Sequence, residues 1–187
     1  MKQLPSDPFA LLGIPRRPVV NLDLLEKNVR VLASKHHPDH VTGAESIFEK
    51  IQEAATLLRD PASRLRFLAG EVTPEKSIPA FAEELFSIIA NALTQAEEKR
   101  VAYQVASGAL AKALLTKDLL KARTTLVTTQ ESLHVWKHSL DQELQAIDLR
   151  WPSVDAQELF SLANGFLFAQ RWDTQLREAL FQSDVIH

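Results

Sequence analysis

Apolar residues recur every three or four positions through most of the chain, which is the spacing that places them on one side of an α-helix. The first run of this kind is short, from Asp7 to Ile14, and it contains Gly13, a residue type common at helix ends. A second helix is predicted to start at a cap formed by Asn21 or Asp23 and to continue to about Lys35. Cationic residues lie beside its apolar stripe, so this helix is predicted to be amphipathic with a basic side.

A proline marks the end of the second helix. Because a proline disfavours the α conformation in the residue before it, His37 is predicted to leave the helix and to begin a loop. A third helix then extends from about Ala44 to Arg59, and its apolar stripe consists of Phe48, Ile51, Ala54 or Ala55, and Leu58. Asp60-Pro61 stops this helix before a short basic one. The two longer helices therefore form a hairpin whose loop carries His37-Pro38-Asp39.

The helical pattern is interrupted between Ala69 and Ser77, where Gly70 and Pro74 occur. This stretch is the best candidate for a domain boundary. We therefore predict a first domain over residues 5–70, a linker over residues 71–78 and a second domain over residues 79–187.

Three long helices are predicted in the second domain. The first has an apolar stripe at Phe81, Leu85, Ile88 and Ala92. In the second, apolar residues recur every seven positions at Leu119, Leu126, Leu133, Leu140 and Ile147, with Ala122, Thr129 and Trp136 between the first of them. This heptad seam suits packing inside a bundle and self-association into a homodimer equally well. The last helix is predicted to be capped by Ser153, and short connections favour an antiparallel three-helix bundle.

Composition supports an all-α fold, because Ala, Leu, Glu, Lys and Gln are abundant and the chain has only 5 glycines. The absence of cysteine excludes disulfides, thiolate metal sites and a cysteine nucleophile. No apolar stretch reaches the roughly 18 residues of a transmembrane helix, so we expect no membrane partner and a cytoplasmic location.

Charge is divided unevenly along the chain. Up to Gly70 there are 10 lysines and arginines against 8 acidic residues, whereas the rest of the chain has 11 against 16. Neither part is as strongly basic as nucleic-acid binding proteins are, so we expect no nucleic-acid partner. The slightly cationic first part suits an acidic protein partner.

The first domain resembles the J domain over nearly its whole length. The resemblance rests on Asp7-Pro8-Phe9 and Leu11-Leu12-Gly13, on His37-Pro38-Asp39 at the tip of the hairpin, and on Phe48, Ile51, Ala54, Leu58, Asp60-Pro61, Arg64 and Phe67. It implies a co-chaperone that docks on a DnaK-type chaperone and stimulates ATP hydrolysis by that partner. It also implies that His37, Pro38 and Asp39 contact the chaperone, while Lys27, Arg30 and Lys35 meet acidic residues on its ATPase domain.

A second resemblance is to the HscB-type iron-sulfur co-chaperones, on the evidence of Leu12-Gly13-Ile14-Pro15, Leu22-Asp23 and Leu58-Arg59-Asp60-Pro61. It implies that the client is an iron-sulfur cluster scaffold protein. Two alternatives stay open, namely a J-domain protein with a different client and a J-like interaction or structural module without ATPase stimulation.

Client binding is predicted on the second domain, because the first commits its basic side to the chaperone. Phe86, Ile89 and Leu93 form a second apolar stripe on the first of the three long helices, and acidic residues flank it. This stripe either binds the client or faces a neighbouring helix. The aromatic residues of the last helix likewise either pack in the core or form an interface. They are Phe160, Phe166, Phe168, Trp172 and Phe181.

Histidines form two clusters that include metal-ligand residue types. The cluster His36, His37, Asp39 and His40 follows a basic helix, which would repel a cation, and no second cluster supplies further ligands. His134 and His138 have the spacing of a zinc pair, but Val135 stands where a metalloprotease motif needs glutamate. We therefore predict no metal site, no cofactor and no catalytic residue, and thus a protein that is not an enzyme.

Overall fold

A computed structural model describes residues 6–36, 45–71 and 80–184, and no β-strand occurs within these ranges. They form seven α-helices, which are α1 (Pro8–Leu12), α2 (Leu22–Lys35), α3 (Glu45–Arg59), α4 (Pro61–Ala69), α5 (Ala80–Val105), α6 (Ala109–Arg150) and α7 (Ala156–Asp184). The predicted all-α fold is confirmed. None of the helices in these ranges is long and apolar enough to cross a membrane.

The chain divides into two compact units, each built from two separate stretches of sequence. The first unit comprises Met1–Pro74 and Asp141–Asn164, and the second comprises Glu75–Leu140 and Gly165–His187. Helices α6 and α7 therefore each contribute to both units. The division into domains at residues 5–70, 71–78 and 79–187 stays a prediction. It did not include the packing of residues 141–164 with the N-terminal stretch.

Side-chain caps define the helix starts in the first unit. Asp7 caps α1 by accepting hydrogen bonds from the backbone N–H groups of Phe9 and Ala10. Asn21, and not Asp23, caps α2, because its Oδ1 accepts from the backbone N–H of Leu24 at 2.9 Å. Such caps satisfy backbone donors that the first turn of a helix leaves without partners.

The core of the first unit forms around α3, which packs against α1, α2 and α4. The apolar stripe predicted for α3 is largely confirmed, since Ile51, Ala54, Ala55 and Leu58 are buried. Phe9, Leu12, Leu25 and Leu65 complete this core from the other three helices. The close packing leaves the opposite sides of α2 and α3 exposed to solvent.

The end of α1 is attached to α2 by a polar contact. Gly13 has a φ of 63°, a left-handed conformation that glycine adopts without strain, and its N–H donates to Ala10 and Phe9 carbonyls. Asn28 of α2 then donates its Nδ2 group to the carbonyl of Leu12 at 2.8 Å. Helix α1 is therefore held against α2.

Contacts in the second unit show that neighbouring helices are antiparallel. The Lys99 and Asp118 side chains lie 3.8 Å apart, and the Lys112 ammonium lies 5.5 Å from the Tyr103 ring centre, so residue numbers fall along α6 as they rise along α5. The same order relates α6 to α7, since Trp136 contacts Trp172 with ring centres 5.4 Å apart, whereas Leu140, further along α6, lies beside the earlier Gly165 of α7. The predicted antiparallel arrangement of three helices is confirmed within this unit.

The heptad seam of α6 is an internal packing surface. Leu119 is half-buried, and the other members in the second unit are buried, namely Ala122, Leu126, Thr129, Leu133, Trp136 and Leu140. Gly165 of α7 lies so close that a Cβ atom there would be 2.8 Å from Leu140 Cδ2, which shows how near the two helices approach. The seam is thus used within one chain, and a homodimer would need a different surface.

Helix α6 begins at Ala109, directly after Gly108 with its φ of 103°. Two details of the second unit differ from the sequence prediction. Asp155, and not Ser153, caps α7, since its Oδ1 accepts from the Gln157 backbone N–H at 2.8 Å. The buried stripe of α5 is Ala82, Leu85, Ile89, Ala92 and Ala96, which contains Ile89 in place of Ile88.

Candidate functional site

The basic face, defined as Lys27, Arg30 and Lys35 of α2, is exposed to solvent. Lys27 and Arg30 are three residues apart and so are neighbours on the helix surface. Lys35 lies in the last turn, rotated away from Arg30, where a cation interacts favourably with the helix dipole. None of the three forms an ion pair with a residue that the structure describes. These cations are therefore available to an acidic partner.

Glu26, beside the basic face on α2, is paired with a cation of α3. Glu26 of α2 accepts two hydrogen bonds from Arg59 of α3, at 2.6 Å from Nε and 3.0 Å from the second nitrogen. The hydrogen bond from Arg59, helped by the charges of Arg59 and Arg30, lowers the pKa of Glu26. This bidentate pair joins the two arms of the hairpin and leaves the exposed side of α2 with a positive charge.

The tripeptide His37-Pro38-Asp39 and the neighbouring His40 lie outside the described residues, so their predicted roles stay predictions. The structure describes the two ends of the connection that contains them. Helix α2 closes with the His36 N–H donating to the Leu32 carbonyl at 3.1 Å, and α3 starts at Glu45. The tripeptide thus falls between the two helices of the hairpin, as the sequence predicted.

The loop between α1 and α2 is bound to the C-terminal end of α6 within the first unit. Asp148 is buried, and its carboxylate accepts from the Arg17 Nε at 3.1 Å and from the Val19 backbone N–H at 2.9 Å. The Trp151 indole donates to the Arg16 carbonyl at 2.8 Å. Sequence reasoning missed these contacts, because Arg17 and Asp148 are 131 positions apart and neither belongs to a local motif.

Helix α4 uses its two arginines for structural contacts. Arg64 is buried and donates from Nε to the Pro18 carbonyl at 2.7 Å and from a terminal nitrogen to the Leu58 carbonyl. Burial lowers the pKa of Arg64, although the charges of Asp60 and Asp148 oppose this shift. Arg66 donates to Asn164 at 2.8 Å. The sequence pattern indicated a short basic helix, and both of its arginines form hydrogen bonds within the first unit.

The predicted client stripe on α5 is only partly exposed. Phe86 is 53% exposed, but Ile89 is 1% exposed and belongs to the core, and Leu93 is half-buried. Of the two alternatives for this stripe, Ile89 therefore follows the second, since it packs in the core, and client binding by Phe86 and Leu93 stays a prediction. Helix α5 packs through a stripe of positions spaced three and four residues apart, and Ile89 is one of these positions, between Leu85 and Ala92.

Phe86 instead joins aromatic residues of α7. Its ring lies 6.0 Å from that of Trp172, and Phe168 stacks on Trp172 at 5.7 Å. These rings line a groove of about 590 Å³, which we call the aromatic groove, and the remaining residues that line it are Glu83, Ser87, Arg171 and Gln175. Trp172 is buried, whereas Phe86 is available at the surface. Both an acidic and a basic side chain stand at the rim of the groove.

The second histidine pair lies near a buried carboxylate. Asp173 is 7% exposed, and its oxygens lie 3.8 Å from His134 Nε2 and 3.6 Å from Lys137 Nζ, while Arg177 binds it more closely. One Asp173 oxygen, Oδ1, has no hydrogen bond. Within the described ranges there is no group of three or more metal-ligating side chains. Lys137 and Arg177 already place two positive charges beside Asp173.

The first unit thus combines an all-helical fold, a hairpin of α2 and α3, and exposed cations on α2. Residues 7–67 match the family model described as the DnaJ domain. The chain therefore contains a J domain, which implies a general role as co-chaperone of a DnaK-type chaperone. No curated protein and no solved structure matches the chain.

Proposed function

We propose that this protein docks on a DnaK-type chaperone and stimulates its ATP hydrolysis through His37, Pro38 and Asp39. The basic face of α2 supplies the attraction that orients the docking. The observation that carries the proposal is the J-domain match over residues 7–67 combined with exposed cations that have no ion-pair partner in the described part of the chain.

Several contacts must act together in this docking. An exposed ion pair contributes only about 0.2 to 1 kcal/mol. Lys27 and Arg30 are held on one side of a helix, and the pairing of Glu26 with Arg59 removes a competing negative charge beside them. A cluster of like charges accelerates association with an oppositely charged partner and sets its orientation. The basic face therefore acts mainly on the rate of docking and on its dependence on salt.

Replacing Arg30 by Glu in the full-length chain is expected to weaken stimulation of the partner ATPase by roughly tenfold, with a smaller effect at high salt. The measurement is single-turnover ATP hydrolysis by the chaperone at several ionic strengths. Lys50→Glu is the matched control, because Lys50 is exposed on α3 and the charge change is the same. Equal losses in both variants would show that only net charge matters and would contradict a docking face on α2.

The client is proposed to be an iron-sulfur cluster scaffold protein, and the aromatic groove is its proposed binding site. The resemblance of the J-domain segment to HscB-type co-chaperones supports the class of client. The exposed Phe86, beside Phe168 and Trp172, supports the aromatic groove as the binding site. Aromatic side chains in partly desolvated pockets contribute much of the binding energy in many protein interfaces. We propose that this activity is cytoplasmic.

The Phe86→Ser variant is expected to bind the scaffold protein at least about tenfold more weakly, since truncation of a central aromatic contact costs about 2 kcal/mol or more. Binding is measured by titration calorimetry. Phe181→Ser is the matched control, because Phe181 is 70% exposed on α7 and does not line the groove. Unchanged binding of Phe86→Ser would exclude the groove, and a wild-type chain that binds no scaffold protein would favour another client.

A further inference from the structure

The exposed side of α2 carries apolar residues as well as cations. Val31 is 45% exposed and Leu24 is 37% exposed. Helix α2 packs into the core of the first unit through Leu25 and Val29, and successive residues of a helix are rotated by about 100° from one another. Val31 and Leu24 therefore point well away from the core, toward solvent.

These two apolar residues share one stripe of the helix surface with two of the cations. Positions 24, 27, 31 and 35 are separated by three, four and four residues, the spacing that keeps side chains on one side of an α-helix. Along the helix, apolar and cationic residues alternate in the order Leu24, Lys27, Val31 and Lys35. We call these four residues the mixed stripe. Its geometry follows from a single helix and needs no contact between helices.

The apolar surface continues beyond the start of the stripe. Leu24 lines a groove of about 270 Å³ beside the loop between α1 and α2, together with Ile14, Pro15 and Val19. Leu24 thus connects the mixed stripe to the loop that Arg64 and Asp148 hold in place. The position of the stripe is fixed by these buried contacts.

Helix formation and core packing do not explain the valine at position 31. A β-branched residue favours a helix slightly less than lysine, glutamate or alanine does. Val31 also lies outside the buried core. Single apolar residues are common on protein surfaces, but Val31 lies one turn from Lys27 and one turn from Lys35. An apolar contact surrounded by charges is the usual composition of a protein interface, with a dry centre and a polar rim.

We propose that Val31, assisted by Leu24, is a specificity-determining contact with the DnaK-type chaperone, an inference that rests on the proposed function. The partner surface carries an apolar side chain flanked by carboxylates. Lys27 and Lys35 attract and orient this surface, and Val31 is desolvated against its apolar part. Because the apolar contact forms only in the docked complex, it acts mainly on the lifetime of that complex.

The alternation of charges and apolar residues decides the chemistry of the partner. A uniformly anionic surface, such as phosphate groups, would pair with Lys27 and Lys35 but would set charged groups against Val31, where they lose hydration without a partner. An acidic protein surface that includes an apolar side chain satisfies all members of the stripe. The J-domain match over residues 7–67 implies a protein partner of this kind.

The test replaces Val31 by Thr in the full-length chain, which keeps the branched shape and nearly the same helix propensity but exchanges a methyl for a hydroxyl group. The concentration of this protein that gives half-maximal stimulation in single-turnover ATP hydrolysis should rise about fivefold. The factor should be the same at low and high salt, since salt screens charges and not apolar contacts. Val135→Thr is the matched control, because Val135 is 72% exposed on α6 in the second unit.

Two further variants separate loss of the contact from loss of structure. Val31→Gln should weaken stimulation as much as Val31→Thr does, although glutamine favours a helix more than valine. Val31→Ile keeps the apolar surface and should stimulate more strongly than either polar variant at every salt concentration. Circular dichroism should show wild-type helix content in all of them.

The outcomes distinguish this inference from the proposed function. Stimulation by the wild-type chain with equal values for Val31→Thr and Val135→Thr would overturn the role of Val31 alone. An equal loss in Val31→Ile and Val31→Thr would also overturn it, because polarity would then not matter. A wild-type chain that gives no stimulation would overturn the proposed function and this inference together.

Discussion

Replacing Asp39 by Asn is expected to abolish stimulation of the partner chaperone's ATPase while leaving the fold of this protein unchanged. The J-domain resemblance implies that Asp39 pairs with an arginine of the chaperone, and asparagine keeps the shape of the side chain but removes its charge. Loss of one partner from a desolvated charge pair costs about 2 kcal/mol or more. Stimulation should therefore fall about thirtyfold or more in single-turnover ATP hydrolysis.

Asp141→Asn is the matched control for this experiment. Asp141 is an exposed acidic residue of α6, so the substitution changes the same charge outside both the tripeptide and α2. Stimulation by Asp141→Asn should equal that of the wild-type chain. Stimulation that survives in Asp39→Asn would show that the tripeptide is only a helix stop, and the chain would then be better described as a J-like interaction module.

The second large effect is expected from Arg64→Leu, which should lower the free energy of unfolding of the first unit by about 2 to 4 kcal/mol. Leucine fills much of the space of the buried arginine but donates no hydrogen bonds. The Pro18 and Leu58 carbonyls, which Arg64 now binds, would then be left without donors in a buried place. An unsatisfied buried polar group costs about 1 to 3 kcal/mol.

Urea unfolding followed by circular dichroism measures this loss, with Arg30→Leu as the control. Arg30 is exposed on α2 and has no hydrogen-bond partner among the described residues, so its replacement should change stability by less than about 0.5 kcal/mol. An equally small effect of Arg64→Leu would contradict a structural role.

Arg64 and Asp148 together hold the loop between α1 and α2 in place within the first unit. Arg64 fixes Pro18, and Asp148 binds Arg17 and Val19 in the same loop. The loop between α1 and α2 is therefore held from two directions. Since α2 begins directly after this loop, the position of the basic face depends on buried contacts that involve the distant residues 141–164.

Local features could be predicted from the sequence because they depend on neighbours along the chain. Such features act within one or two helical turns, and they include the helix stops at Gly13 and Asp60-Pro61, the cap at Asn21 and the repeat spacing of the heptad seam. The J-domain pattern is of the same kind, since it combines short motifs with helical spacing. The all-α fold and the J domain at residues 7–67 therefore followed from the sequence alone.

Only the tertiary structure decided which of two possible stripes on α5 is buried. A helix with 3.6 residues per turn accommodates either Ile88 or Ile89 beside Leu85 and Ala92, so spacing alone cannot choose between them. Contact with α6 and α7 places Ile89 in the core and leaves Ile88 46% exposed. The same packing joins Phe86 to Trp172 and thereby forms the aromatic groove.

The pairing of Arg17 with Asp148 and the exposure of Leu110 and Leu114 were also decided by tertiary structure. Arg17 and Asp148 become neighbours through the path of the chain over 131 positions, and no local pattern records such a contact. Leu110 and Leu114 have the spacing of a buried stripe, yet both are exposed. Burial depends on which elements meet in space, whereas helix formation depends mainly on adjacent residues.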